Sequence, residues 1–130
     1  MDRKVYLDSG AYIIIEKTEA LISIDVNTGQ NTGNKTSQEL ILQTNLEATK
    51  EIARQIKLRN LAGIIIVDFI DMKKFSDRKR VLEEFKKYLK YENIYYIDHY
   101  LGKEMLLNIM TIRFFNSMFN GVWNKEFVDN

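Results

Sequence analysis

Hydrophobic and polar positions alternate in short runs at the start of the chain and settle into helical spacing further on. Residues 5–7 form a first short strand, Asp8-Ser9-Gly10 a turn, and residues 11–16 a second strand. Lys17-Thr18-Glu19 turns into a third strand over residues 20–27, Ala20-Leu21-Ile22-Ser23-Ile24-Asp25-Val26-Asn27. Connections this short predict an antiparallel meander. Further on, Gly63-Ile64-Ile65-Ile66-Val67-Asp68 is apolar on both faces, the pattern of a central strand covered on both sides. Both longer strands end in aspartate, and alternation puts Asp25 and Asn27 on one face, with Ile24 and Val26 on the other.

Between these strands, Thr36 and Glu39 have capping-box spacing and open a long helix. Leu42, Leu46, Thr49, Ala53 and Ile56 line one face of it, joined by Ile41, Ala48 and Ile52. Glu47, Lys50, Glu51, Arg54 and Lys57 are left for solvent, and the helix ends near Arg59-Asn60. A second helix starts at Ser76 or Asp77 and buries Val81, Leu82, Phe85 and Leu89. Residues 94–97 read as a last strand. Residues 102–119 read as a third helix with apolar residues on nearly every side, which predicts a surface shared with a second copy or another chain. The fold class is α/β: a mixed sheet with an N-terminal antiparallel meander and two or three packing helices.

Composition narrows the chemistry. The 130 residues are 45% hydrophobic and 12% aromatic, enough for one compact unit over residues 1–130. No cysteine is present, which excludes disulfides, thiol catalysis and thiolate zinc from this chain. The single histidine, His99, excludes a histidine-rich metal site. No apolar run reaches the ~20 residues that span a bilayer, and the N-terminus lacks a signal-peptide core, so a cytoplasmic, membrane-free protein is expected. Net charge is +1, which by itself points to no partner. Residues 72–90 are an exception. They hold eight basic residues (Lys73, Lys74, Arg78, Lys79, Arg80, Lys86, Lys87 and Lys90) against three acidic ones, and such a stripe either tracks phosphates or forms a solvated helix face.

The two aspartates carry the candidate chemistry. Ligands in open α/β sheets bind beyond the carboxyl ends of the strands. Two carboxylates and the Asn27 amide there are an oxygen donor set suited to Mg²⁺. Aspartates at strand ends also cap the turn that follows, and spacing alone leaves both readings open. Asp71 stands where it supports a metal ligand or closes a turn. The polar loop at residues 28–35 has two glycines but no Gly-Lys-Ser/Thr ending, so it is not a P-loop. Asp98 and His99 are adjacent on a strand and make a poor acid–base pair. An apolar strand leading into Asp25-Val26-Asn27-Thr28-Gly29 also resembles the haloacid-dehalogenase phosphatase signature, but that chemistry needs a second aspartate where Asn27 stands.

Several longer runs occur in order: Ser9-Gly10, Glu16-Lys17-Thr18-Glu19-Ala20-Leu21, Ile24-Asp25-Val26-Asn27-Thr28-Gly29, Thr44-Asn45-Leu46-Glu47-Ala48, Glu51-Ile52-Ala53-Arg54-Gln55-Ile56-Lys57-Leu58-Arg59 and Gly63-Ile64-Ile65-Ile66-Val67-Asp68-Phe69-Ile70-Asp71-Met72. Together they resemble the catalytic subdomain of the ribonuclease E/G family. The match is close over residues 5–72 and looser over 73–105, and residues 106–130 form a divergent apolar tail. The resemblance implies a DNase I-like α/β unit in which Asp25 and Asp68 hold Mg²⁺, or Mn²⁺, for endonucleolytic cleavage of single-stranded RNA by metal-activated water. It also implies that Asn27 helps orient the site. Lys73, Lys74, Lys86, Lys87 and Lys90 are the candidates for holding RNA.

The departures from the family pattern shape the alternative. The chain begins near the catalytic subdomain, so the family's oligonucleotide-binding barrel and 5′-end sensor are expected to lie outside it. There is no cysteine for the family's zinc link, and no zinc is expected. Gln30 replaces an arginine after the glycine, and Tyr91-Glu92-Asn93-Ile94-Tyr95-Tyr96 replaces a basic segment. Gly102-Lys103-Glu104-Met105 only loosely resembles the family's Gly-Leu-Val-Glu-Met. The expected function is therefore a Mg²⁺-dependent endoribonuclease domain, with a non-catalytic RNA-binding or oligomerising relative as the alternative. The partners expected are single-stranded RNA and a second copy, or a chain supplying the missing domains, docked on the helix at 102–119.

Overall fold

A computed structural model describes residues 2–29, 37–94, 96–100 and 109–114 of the chain. The meander forms as its pattern predicts, with strands β1 (Lys4–Tyr6), β2 (Tyr12–Lys17) and β3 (Ile22–Asn27) antiparallel in sequence. Helix α1 (Gln38–Leu58) then crosses to β4 (Gly63–Asp68), which lies parallel to β3. Helix α2 (Phe75–Tyr91) follows, then β5 (Tyr96–Tyr100) and β6 (Ile109–Phe114). The six described strands form one sheet in the order β1-β2-β3-β4-β6-β5, mixed because only β3 and β4 run parallel.

Local chemistry sets the helix ends. Ser37 is the N-cap of α1, and its hydroxyl accepts a bond from the Leu40 N–H at 3.1 Å. The cap thus falls on Ser37, while Thr36 lies outside the described residues. Each helix closes on an asparagine in the left-handed region, Asn60 at φ 53° and Asn93 at φ 60°. The next residue's N–H reaches back to the last turn, Leu61 to Ile56 and Ile94 to Leu89. These closures satisfy carbonyls that a helix end would leave bare, and they turn an apolar residue back onto the core. Helix α2 begins at Phe75, one residue ahead of Ser76, with Lys74 at its cap position.

Both helices lie against one face of the sheet. Ile13, Ile15, Ile22, Ile24, Val26, Ile65 and Val67 are buried there with Ile52, Ala53 and Ile56 of α1 and Val81, Leu82, Phe85 and Leu89 of α2. The stripe expected for α2 is the one that is buried. Phe69 meets Phe85 edge-on at 5.9 Å, a favoured aromatic arrangement. The opposite face differs from the doubly covered sheet predicted from Ile64 to Val67. Ile14, Ile64 and Ile66 are only half-buried there, and they share that face with Ser23, Asp25, Asn27 and Asp68. An apolar run specifies a strand but not the cover over each face. A helix laid over this face would have to desolvate two carboxylates.

The helix predicted over residues 102–119 is not what forms at 109–114. Those residues make β6, paired antiparallel to β4 from Gly63↔Phe114 to Asp68↔Ile109 and to β5 on its other side. An apolar run fits a buried strand as well as a buried helix. Here β-branched Ile109, Thr111 and Ile112 and aromatic Phe114 favour the strand. The exposed edge of β4 also gains hydrogen-bonding partners from it. The rest of that predicted helix, and the residues after 114, lie outside the described residues. No described helix is long and apolar enough to cross a membrane.

Candidate functional site

The parallel pairing of β3 with β4 brings the two strand-end aspartates together. Asp25 and Asp68 are register partners at the end of the ladder, and both are exposed. Side chains directly opposite one another in a sheet share a face. The Asp68 carboxyl is held above the ordinary aspartate value, first by partial burial and then by the negative charge of Asp25 beside it. Asn27, two residues along the same face, donates its amide N–H to Asp25 Oδ2 at 3.5 Å, the outer limit of a hydrogen bond. Among the described residues no group of three or more carboxylate or histidine side chains is placed to hold a metal, so the candidate is a carboxylate pair with an amide beside it.

Three side chains of α1 fix the loops around that pair. Buried Asn45 is 0% exposed and bonds the backbone of Ile70 twice: its Nδ2 donates to the Ile70 carbonyl at 2.9 Å, and its Oδ1 accepts from the Ile70 N–H at 3.0 Å. This clamp holds the chain two residues beyond Asp68. Gln38 Oε1 accepts from the Lys73 N–H at 3.2 Å. Glu47, predicted as a solvent residue, instead grips the β1–β2 turn, accepting from the Ser9 N–H at 3.1 Å and the Ser9 hydroxyl at 2.5 Å. That turn packs on the segment leaving β3. Gly29 is at φ +73°, and a Cβ there would meet the Gly10 carbonyl oxygen at 2.6 Å and the Tyr12 ring at 3.4 Å, so only glycine fits.

Sequence reasoning missed Asn45 and Glu47 as site-building residues. Both lie in the Thr44-Asn45-Leu46-Glu47-Ala48 run, where helical periodicity marks them only as polar positions. A buried amide needs a partner, so an asparagine on the buried face of α1 was the one available signal for Asn45.

The other predicted residues are spread out. Asp71 is exposed, three residues past Asp68. Lys73 and Lys74 are exposed and lie between β4 and α2, at the Asp68 end of the sheet. Lys86 is half-buried, Lys87 pairs with Glu84 at 3.1 Å, and Lys90 is exposed in the last turn of α2. That last turn is at the opposite end of the sheet, where Lys57 at the close of α1 donates to the Glu92 carbonyl at 3.0 Å. Residues 75–85 of α2, roughly 18 Å of helix from Lys74 to Lys86, separate the two groups of lysines. Asp98 and His99 are successive residues of β5, two strands away from β4.

Residues 1–97 match the Ribonuclease E/G family, and the chain belongs to that family. Relatives at close range carry two names. Ribonuclease E of a Nostoc species is 58% identical over 87 residues, covering 67% of this chain and 13% of that protein. Ribonuclease G of Escherichia coli K12 is 48% identical over 94 residues, covering 72% of this chain and 19% of that protein. Ribonuclease G of Haemophilus influenzae is 54% identical over 83 residues, covering 64% of this chain and 17% of that protein. The matched stretch spans less than a fifth of each of these relatives' length.

Proposed function

We propose that the chain is an endoribonuclease catalytic domain that cleaves single-stranded RNA in the cytoplasm, with Mg²⁺ or Mn²⁺ held by Asp25 and Asp68. The observation that carries this reading is the Asp25↔Asp68 register across a parallel strand pair in a member of a ribonuclease family. The donor set fits: two adjacent carboxylates and an amide are hard oxygen ligands, and the Asp68 carboxyl, pushed up first by burial and then by its neighbour's charge, is relieved by a cation. A bound divalent ion supplies charge stabilisation at a phosphoryl oxygen and lowers the pKa of a water. Asn27 steers the Asp25 carboxylate through its amide N–H. Asn45 and Glu47 keep the flanking loops in place while substrate enters over the open sheet face. Asp71 and the exposed Lys73 and Lys74 border that entry, with Asp71 supporting the ligands from outside.

The test uses the whole chain, a fluorescent single-stranded RNA and a thermal melt. Mg²⁺ is expected to raise the Tm of the wild type, because a ligand that binds only the native state stabilises it by mass action. Asp25→Asn and Asp68→Asn should each abolish that rise and the cleavage, with the double variant no worse than either single one. A variant that keeps the full Mg²⁺ response removes its aspartate from the site. A Mg²⁺ response lost in both variants, with no cleavage by the wild type, supports the non-catalytic, RNA-binding or oligomerising alternative instead.

A further inference from the structure

The open face of the sheet carries more than the carboxylates. Register runs straight across three strands: Tyr6↔Tyr12 joins β1 to β2, and Tyr12↔Asn27 joins β2 to β3. The neighbouring row reads Lys4↔Ile14, Ile14↔Asp25 and Asp25↔Asp68. Tyr6, Tyr12 and Lys4 therefore share a face with Asp25, Asn27 and Asp68. At about 4.8 Å per strand, β1 lies about 10 Å from β3. Tyr6 is 65% exposed, a large aromatic surface left in water. Its ring is not loose. It sits 5.9 Å from the Tyr12 ring at an interplanar angle of 59°, and the Lys4 ammonium lies 4.2 Å from the Tyr12 centroid and 5.3 Å from the Tyr6 centroid. The Lys4 Nζ also donates to the Tyr6 hydroxyl at 3.5 Å. Tyr12 in turn borders the Gly29 segment that leaves β3.

We propose that Tyr6 and Tyr12, with Lys4 held across their rings, form a subsite that stacks a base of single-stranded RNA beside the Asp25–Asp68 pair. Single-stranded nucleic acid is held by exposed aromatic rings that stack on bases and by cations that follow the backbone. Both elements are present in one cluster, and the cation is already paired with the rings by cation–π attraction. An edge strand exposing one tyrosine would need no explanation. Two ordered rings and a lysine in register with the carboxylates place a base and a phosphate at the distance of a strand or two from the site of cleavage. Stacking of this kind tolerates any base, so the subsite selects for single strands without reading sequence. The inference rests on the endoribonuclease reading for its location and not for its binding.

The test measures binding by fluorescence anisotropy in EDTA, so that no cleavage intervenes. The probes are a labelled oligouridylate and a tetrahydrofuran-phosphate oligomer of equal length that has no bases. Tyr6→Ala should weaken oligouridylate binding by roughly 5- to 150-fold. Tyr6→Phe, which keeps the ring, should bind like the wild type, and so should Tyr12→Phe. All of these proteins should bind the base-free oligomer alike. Equal oligouridylate affinity for Tyr6→Ala and wild type overturns the proposal. So does an equal loss for both probes, or a wild type that binds no oligouridylate at tens of micromolar. Cleavage with Mg²⁺ is then assayed separately. Cleavage that needs Asp25 and Asp68 but ignores Tyr6→Ala at subsaturating RNA overturns the subsite and leaves the enzyme reading standing. Tyr6-dependent binding by a chain that never cleaves does the reverse.

Discussion

Asp68 bears the electrostatic cost of the carboxylate pair. Its folded pKa lies above the unfolded value, so the native state holds this proton more tightly than the unfolded chain does. The stability it contributes is fully present below the ordinary carboxylate pKa and is lost as pH rises through the raised folded value. Without divalent cation, Asp68→Asn should therefore be more stable than wild type at neutral pH, and the advantage should vanish in acid. Urea unfolding in EDTA at both pH values reads the difference. An advantage that persists unchanged in acid would assign it to packing and not to charge. The juxtaposition of the two aspartates was legible: an apolar strand closing on aspartate, twice, singled out Asp25 and Asp68 as neighbours at one end of the sheet. Glu47 was not, because its partner is the backbone and hydroxyl of Ser9 in a distant turn, which no helical period encodes.

Among the elements, α1 supplies both cover for the sheet and fixtures for the site. Asn45→Ala should leave the N–H and carbonyl of Ile70 unpaired, at about 1–3 kcal/mol for each group. Urea unfolding should show the loss of stability, and amide exchange at Ile70 should speed up beyond what global unfolding explains. Exchange at Ile70 that stays at the wild-type rate would show that the loop holds its shape without the clamp. The buried stripes of both helices and the three-strand meander followed from periodicity, because each buries one face and repeats cleanly. Strand β6 did not. Residues 109–114 sit inside a longer apolar run with no polar face to reveal its period, and what decides their conformation is the hydrogen-bonding edge of β4, far away in sequence. For the same reason, the pattern of Ile64 to Val67 located β4 but not the polar company on its second face.

For the molecule as a whole, a net charge of +1 leaves no general attraction for RNA, so the position of each cation matters more than their number. Lys73 and Lys74 stand at the Asp68 end, and Lys86, Lys87 and Lys90 lie toward the far end of α2. Reversing Lys73 and Lys74 to glutamate should weaken RNA binding and flatten its salt dependence by up to about 0.7 in log–log slope per lysine. The same change at Lys86, Lys87 and Lys90 should do less, and anisotropy titrations over a salt series would compare the two. A larger effect from the distal three would show that the RNA path follows α2. The parallel pairing of β3 with β4 has a consequence in time as well as in space. The meander can form as soon as it is made, since its contacts are local. Asp25 has no Asp68 beside it until α1 and β4 have also been synthesised and the crossover has closed, a non-local step that pays its loop entropy first. At roughly 5–20 residues per second, a nascent chain spends seconds with one carboxylate and no pair. A chain interrupted anywhere before residue 68 thus lacks the carboxylate pair, and the metal binding proposed for that pair has to wait until β4 docks.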